Sequence, residues 1–142
     1  TKHAWYLRTL PEVQAIYKKL WNCDKLITSF DGCCYIGKDI TKKDNCWTHT
    51  DQAPVRKGVE CYQGFLALTS NKERTLVVYE GSHKLHEKYF SDRKITSKKN
   101  WHKIDPDFLE TIKDSKKVLN VPEGALVLWE SRTFHQNQSL HV

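Results

Sequence analysis

Two segments far apart in the chain constrain it most: Trp47-Thr48-His49-Thr50-Asp51-Gln52 and Trp129-Glu130-Ser131-Arg132-Thr133-Phe134-His135. On an extended strand, side chains at i and i+2 project from the same face. His49 and Asp51 can therefore offer a ring nitrogen and a carboxylate oxygen to one ion, and His135 can complete the set if the fold brings the two segments together. Two imidazoles and one carboxylate leave positions of an octahedral Fe(II) open for a co-substrate and O2. If the three side chains do converge, an oxygenase is the expectation.

At 142 residues the chain is expected to form one domain, 1–142, with a core of its own. With 39% hydrophobic and 28% charged residues it has the composition of a soluble globular protein. No apolar run approaches the roughly 18 residues of a membrane helix, and no signal segment opens the chain. A cytoplasmic protein without a membrane partner is the expectation. The sequence starts at Thr1, contains no Met, and runs only from Gln136 to Val142 beyond His135. It is therefore expected to be a piece of a longer chain, or one with internal segments missing.

Five cysteines (Cys23, Cys33, Cys34, Cys46, Cys61) form an odd set without a regular framework, which predicts reduced and mostly buried thiols. Cys46-x-x-His49 has zinc-ligand spacing, with Cys33-Cys34 upstream, but no second well-spaced pair completes a site. The net charge is +6, much of it from Arg93, Lys94, Lys98, Lys99, Lys103, Lys113, Lys116 and Lys117. Such runs are usually solvated faces. Phe90, Trp101 and Phe108 do not alternate with the basic residues as on a single-strand-binding surface, so nucleic acid is not the expected partner. A basic patch suits an anionic small molecule.

Thr9-Leu10-Pro11-Glu12 fits a capping box, with Pro in the first turn. Leu10, Val13, Ile16, Tyr17, Leu20 and Trp21 then recur at helical spacing, predicting a helix whose stripe packs against a sheet. Strands follow. Leu26 to Phe30 and Cys33 to Ile36 flank the hairpin turn Asp31-Gly32. Val59 to Thr69 reads as one long strand with Gly64 marking a bend or a close backbone approach, and Thr75 to Tyr79 as another, ending in Glu80-Gly81-Ser82-His83. Asp105-Pro106-Asp107 caps a short helix carrying Phe108, Leu109 and Ile112. Val118 to Val121, a Pro122-Glu123-Gly124 turn and Ala125 to Trp129 predict a further hairpin, with His135 on the strand or loop beyond. The lysine-rich stretch Ser91 to Lys103 reads as an inserted lid. About seven or eight short strands without β-α-β alternation favour a mainly β jelly roll or barrel.

His49-Thr50-Asp51-Gln52, Gln63-Gly64-Phe65-Leu66-Ala67-Leu68, Gly81-Ser82-His83 and Pro122-Glu123-Gly124-Ala125-Leu126-Val127-Leu128-Trp129 through Phe134-His135-Gln136-Asn137 occur in one order. In that order they resemble the phytanoyl-CoA dioxygenase-like family of Fe(II)- and 2-oxoglutarate-dependent oxygenases. The resemblance implies a double-stranded β-helix (cupin-like jelly roll) with a flanking N-terminal helix and a short inserted one. It makes His49, Asp51 and His135 the iron ligands and catalytic residues, with 2-oxoglutarate and O2 as co-substrates. The expected reaction is hydroxylation of a small organic substrate, with succinate and CO2 as co-products. Related halogenases carry a small residue at the carboxylate position, so Asp51 argues for hydroxylation.

Glu80 stands where the family's "PGSH" turn has Pro. The family's basic residue for the distal carboxylate of 2-oxoglutarate follows the last His at a distance this sequence does not reach. Gln63, Asn137 and Arg132 are the candidate co-substrate contacts. A satisfied core amide is an equal reading of Gln63, and a structural ion pair the favoured one for Arg132. Trp129 reads as packing, and His3, His83, His86, His102 and His141 as non-ligands. Two other classes stay open: a catalytically silent metal-binding β-barrel, and a basic nucleic-acid-binding domain with a zinc site.

Overall fold

In the computed structural model, residues 2–29, 32–37, 39–40 and 45–138 are described. The chain divides into two compact units, Thr1–Gly37 and Lys38–Val142.

The first unit holds helices α1 (Lys2–Thr9) and α2 (Pro11–Trp21), which pack on each other. Only the second was expected, and its start differs from the capping box. Leu10 occupies the N-cap with no side-chain hydrogen bond. Thr9 ends α1, its hydroxyl donating back to the Tyr6 carbonyl at 2.9 Å, so it is unavailable to cap α2. Asn22 closes α2 in the left-handed conformation (φ 47°), its N–H reaching the Lys19 carbonyl. No residue of α2 is buried, and Ile16, Leu20 and Trp21 are each about two-fifths exposed. The predicted core stripe is amphipathic but lies open within its unit. The expected strands over 26–30 and 33–36 do not form among the described residues, 26–29 and 33–36; Phe30 and Asp31 of that hairpin lie outside them. All five cysteines are exposed rather than buried, and none is in a disulfide.

The second unit is mainly β. Seven strands appear among its described residues: β1 (His49–Thr50), β2 (Tyr62–Leu66), β3 (Thr75–Tyr79), β4 (His102–Lys103), β5 (Lys116–Val118), β6 (Leu126–Glu130) and β7 (His135–Gln138). Five form an antiparallel sheet in the order β4-β1-β7-β3-β5; β2 and β6 pair as a separate two-stranded sheet. β3 has the predicted bounds, because a β-branched and apolar run fits a doubly covered central strand. β2 is shorter than expected, and its pairing continues without a break through Gly64, opposite Leu128.

The predicted hairpin around Pro122-Glu123-Gly124 is not one. β5 pairs with β3 whereas β6 pairs with β2. The turn, with Gly124 at φ 81°, passes the chain from one sheet to the other. Helix α3 (His86–Asp92) was not expected; α4 (Pro106–Thr111) was. Asp105 stands at the N-cap of α4 but makes no cap hydrogen bond, because its carboxylate binds Arg93 Nε at 2.8 Å.

Register divides the large sheet into two faces. Directly opposed residues share a face, so His49, His135 and Val78 point one way. Thr50, His102, Gln136, Val77 and Tyr79 point the other. On the second side lies the aromatic core of Tyr79, Tyr89, Phe90, Ile104, Leu109 and Phe134, with Ile95, Phe108 and Ile112 against it. Tyr89 meets Phe90, Phe108 and Phe134 edge-on at centroid distances of 5.0, 4.8 and 5.6 Å, the arrangement that aromatic quadrupoles favour. Phe134 is wholly buried and immediately precedes the ligand candidate His135. Truncation to Phe134→Ala should cost about 3–5 kcal/mol, read as a lower denaturant midpoint with an unchanged slope; a loss below about 1 kcal/mol would show that this cluster is not the core.

Candidate metal centre

β1 and β7 lie side by side with His49 opposite His135. Asp51 follows directly after β1, where its N–H donates to the Ser131 carbonyl at 3.0 Å. The Thr50 hydroxyl donates to the same carbonyl at 2.9 Å. Ser131 begins the turn between β6 and β7, which the Thr133 N–H closes on Glu130. The two distant segments are thereby joined by backbone and hydroxyl hydrogen bonds on either side of the ligand candidates.

Asp51 Oδ2 lies 3.4 Å from His49 Nε2 and 3.3 Å from His135 Nε2. One ligand atom from each of the three residues falls within 4.8 Å of the others, and no other such cluster occurs among the described residues. Ligand atoms about 2.1 Å from one ion and at right angles to each other lie roughly 3.0 Å apart, so the spacing suits a single ion. His49 Nδ1 is 3.2 Å from the Trp47 carbonyl, and His135 Nδ1 is 2.9 Å from the Thr133 carbonyl. A carbonyl only accepts, so each Nδ1 carries the hydrogen and each Nε2 presents its lone pair to Asp51. Two lone pairs and a carboxylate oxygen at this range repel unless positive charge sits among them. A metal ion held among them supplies that charge.

Burial alone would raise the Asp51 pKa, but its side-chain contacts with His135, His49 and Gln63 outweigh it and hold the carboxyl far below the usual carboxylate range. Asp51 is therefore ionised at neutral pH. Gln63, on β2, donates Nε2 to Oδ2 at 2.8 Å, so the small sheet also reaches the cluster. Its Oε1 is buried without a partner. Trp129, opposite Gln63, places its indole 5.2 Å from His135. Asn137 shares the His135 face by strand parity, opposite Leu76, and its carbonyl accepts from Trp47 Nε1 at 3.0 Å. The guanidinium of Arg132 forks onto Glu130 at 2.6 and 3.2 Å, the ion pair favoured for it.

His86 and His102 point away from the cluster, both packing on Phe90. His83 has no place in it either, and His141 lies outside the described residues. Cys46 directs its sulfur to Thr48 Oγ1 at 3.8 Å, and no thiolate belongs to the cluster. Gly81, at φ 75°, introduces the buried Ser82, whose Oγ accepts the Phe134 N–H at 2.8 Å. The Gly-Ser-His turn thus acts on the site by fixing the residue before His135.

Gln52 supports the site without having been singled out from the sequence. Its buried amide donates to the Arg56 and Gly58 carbonyls at 3.1 and 2.8 Å and accepts from Ser131 Oγ at 2.8 Å. Its own carbonyl accepts from His86 Nε2 at 3.0 Å. Only its place directly after H-x-D marked it, because a glutamine ordinarily reads as surface.

No family model and no solved structure matches the chain. It is similar to a protein named Ava biosynthesis cluster protein O of Aspergillus versicolor, at 32% identity over 153 residues, covering 96% of this chain and 49% of that protein. The chain spans about half the length of this curated relative. Among the described residues, no helix is long and apolar enough to cross a membrane.

Burial depresses the His86 pKa below the ordinary 6.5, so the unfolded chain takes up this proton more readily than the folded one. Stability should fall as pH drops below about 6.5 and keep falling until the lower, folded value is passed. His86→Gln keeps a donor for the Gln52 carbonyl and removes the titration; its stability, measured by denaturant unfolding between pH 7 and 5, should vary less with pH than that of the wild type. Equal slopes would refute the assignment.

Proposed function

We propose that the chain carries the centre of an Fe(II)- and 2-oxoglutarate-dependent dioxygenase that hydroxylates a small organic substrate. The observation carrying this reading is the convergence of two imidazole Nε2 atoms and one ionised carboxylate oxygen, with both Nδ1 atoms tied to backbone carbonyls. A metal-binding triad of this composition leaves coordination positions free. The order of motifs resembling the phytanoyl-CoA dioxygenase-like family supports it. So do the two antiparallel sheets that meet at Asp51, in keeping with a double-stranded β-helix. Similarity to a protein named for a biosynthesis cluster is in keeping with small-molecule chemistry.

Iron with 2-oxoglutarate, when bound, supplies O2 activation, giving succinate and CO2 beside the hydroxylated product. The chain's residues do the rest. His49 and His135 donate from Nε2 with ring planes set by their backbone hydrogen bonds. Asp51 would supply the third ligand and its negative charge; related halogenases carry a small residue there, so its presence favours hydroxylation. Gln63 fixes which carboxylate oxygen faces the ion. Gln63 and Asn137 are the proposed co-substrate contacts on the site face, while Arg132 stays with Glu130 and steadies the turn before His135. The substrate is a small molecule, and the basic stretch Arg93 to Lys103 favours an anionic one.

Anaerobic addition of Fe(II) and then 2-oxoglutarate should produce a weak visible charge-transfer band, absent in His49→Ala and Asp51→Ala. Admission of O2 should then release succinate. Metal binding by the full-length protein without the band or succinate would identify a catalytically silent metal module, and one bound zinc with thiolate ligation would overturn the triad altogether.

A further inference from the structure

His49 stacks with two indoles. Trp47 stacks at 4.9 Å and 20°, and Trp101 at 5.5 Å and 29°. Trp47 arrives by local alternation, two residues before His49 on the same face. Trp101 arrives from far along the chain. Lys103 pairs with His49 across β1 and β4, so Trp101, two residues earlier, lies on the same face and beside the His49–Asp51 edge.

Trp101 is 51% exposed, too open to count as core. Both ends of its segment are tied down. Arg93 binds Asp105 and lies over the Tyr89 and Phe108 rings at 4.0 and 5.0 Å. The Ile95 N–H reaches the Phe90 carbonyl, and the Ile104 N–H reaches the Thr48 carbonyl. Between these anchors the stretch runs through exposed Lys98 and Lys99 and ends with the indole on His49. The hydrogen bond from Nδ1 fixes where one edge of the imidazole points; the stack fixes its plane, and with it the direction of the Nε2 lone pair.

We propose that Trp101 is a positioning residue for the metal centre, coupling metal affinity to the seating of residues 93–101 against β1. This rests on the metal reading of the triad. Because coupling is reciprocal, an ion that needs His49 in this plane also favours the seated segment. Loss of an outer-shell contact to a ligating His typically weakens a metal about 10–100-fold; a stacking contact, less directional than a hydrogen bond, should lie near the lower end.

The test is titration of the wild type, Trp101→Ala and Trp101→Phe with Co(II), followed by its visible ligand-field bands. The metal-free melting temperature of each is measured alongside. Trp101→Ala should bind roughly tenfold more weakly, with shifted bands and a metal-free melting temperature close to wild type. Trp101→Phe, which keeps a ring on His49, should restore most of the affinity and the band positions. Co(II) should also slow tryptic cleavage after Lys98 and Lys99 in the wild type and in Trp101→Phe, but much less in Trp101→Ala. Wild-type affinity and bands in Trp101→Ala would overturn the proposal, as would weaker binding accompanied by a matching fall in metal-free melting temperature and unchanged bands. Absence of Co(II) binding by the wild type would overturn the metal reading itself, and this coupling with it.

Discussion

Oδ2 of Asp51 takes contacts from three directions: His49 two residues before it on β1, His135 on the neighbouring strand, and Gln63 on the other sheet. An ionised carboxylate in a half-buried place is costly unless donors or a cation surround it. Here the compensation comes from parts of the chain that meet only when both sheets are complete. The same contacts that lower the Asp51 pKa therefore bind the fold together, and the electrostatics of the site cannot be separated from the topology. A chain that failed to pair β1 with β7 would leave this carboxylate without His135.

The pairing is held by polar groups more than by apolar ones. β1 is only His49 and Thr50, both buried, too short to be retained by side-chain packing. It is kept by Thr50 and Asp51 on the Ser131 carbonyl, by Thr48 on Gln136 at 2.6 Å, and by Gln52 on Ser131 Oγ. Buried polar groups of this kind stabilise modestly when paired and cost heavily when one partner is lost. The aromatic cluster on the opposite face supplies the apolar burial, and it connects to the site through Phe134, whose N–H is held by Ser82 and whose carbonyl accepts from Tyr79. His135 is thus set by a core residue immediately before it, while His49 is set by the stack around it.

What was legible in the sequence was what depends on periodicity. The i, i+2 parity of His49 and Asp51, the strand at Thr75 to Tyr79 and the Asp105-Pro106 helix start all follow from local rules, and each appears in the structure. What was illegible depends on partners. α2 carries a helical apolar stripe, but periodicity reports only which face is apolar, not whether anything covers it. The capping box at Thr9 failed because a neighbouring helix captured the hydroxyl. Helix α3 has its buried His86, Tyr89 and Phe90 at i, i+3 and i+4, yet seven residues beside a basic run are too few for the period to stand out. Neither Gln52 nor Trp101 was singled out, because the contacts with Ser131 and His86 in one case and His49 in the other belong to segments distant in sequence.

The largest misreading was also the most consequential for the site. Pro122-Glu123-Gly124 has turn chemistry, and a tight turn between two apolar runs normally joins neighbours in one sheet. Here the Gly124 N–H binds the Ala67 carbonyl and the Ala67 N–H binds the Ala125 carbonyl, so the turn is claimed by the end of β2 rather than by β5. The chain leaves the large sheet at Val118 and enters the small one at Leu126. β6 therefore lies opposite β2, placing Trp129 across from Gln63. Its continuation through Ser131 then returns the chain to the large sheet as β7. A true hairpin would have kept β6 beside β5 and left Asp51 without Gln63. Because the strands cross between sheets at that turn, Gln63 and Trp129 of the small sheet meet His135 and Asp51 at the edge of the large one, where the His-Asp-His cluster lies.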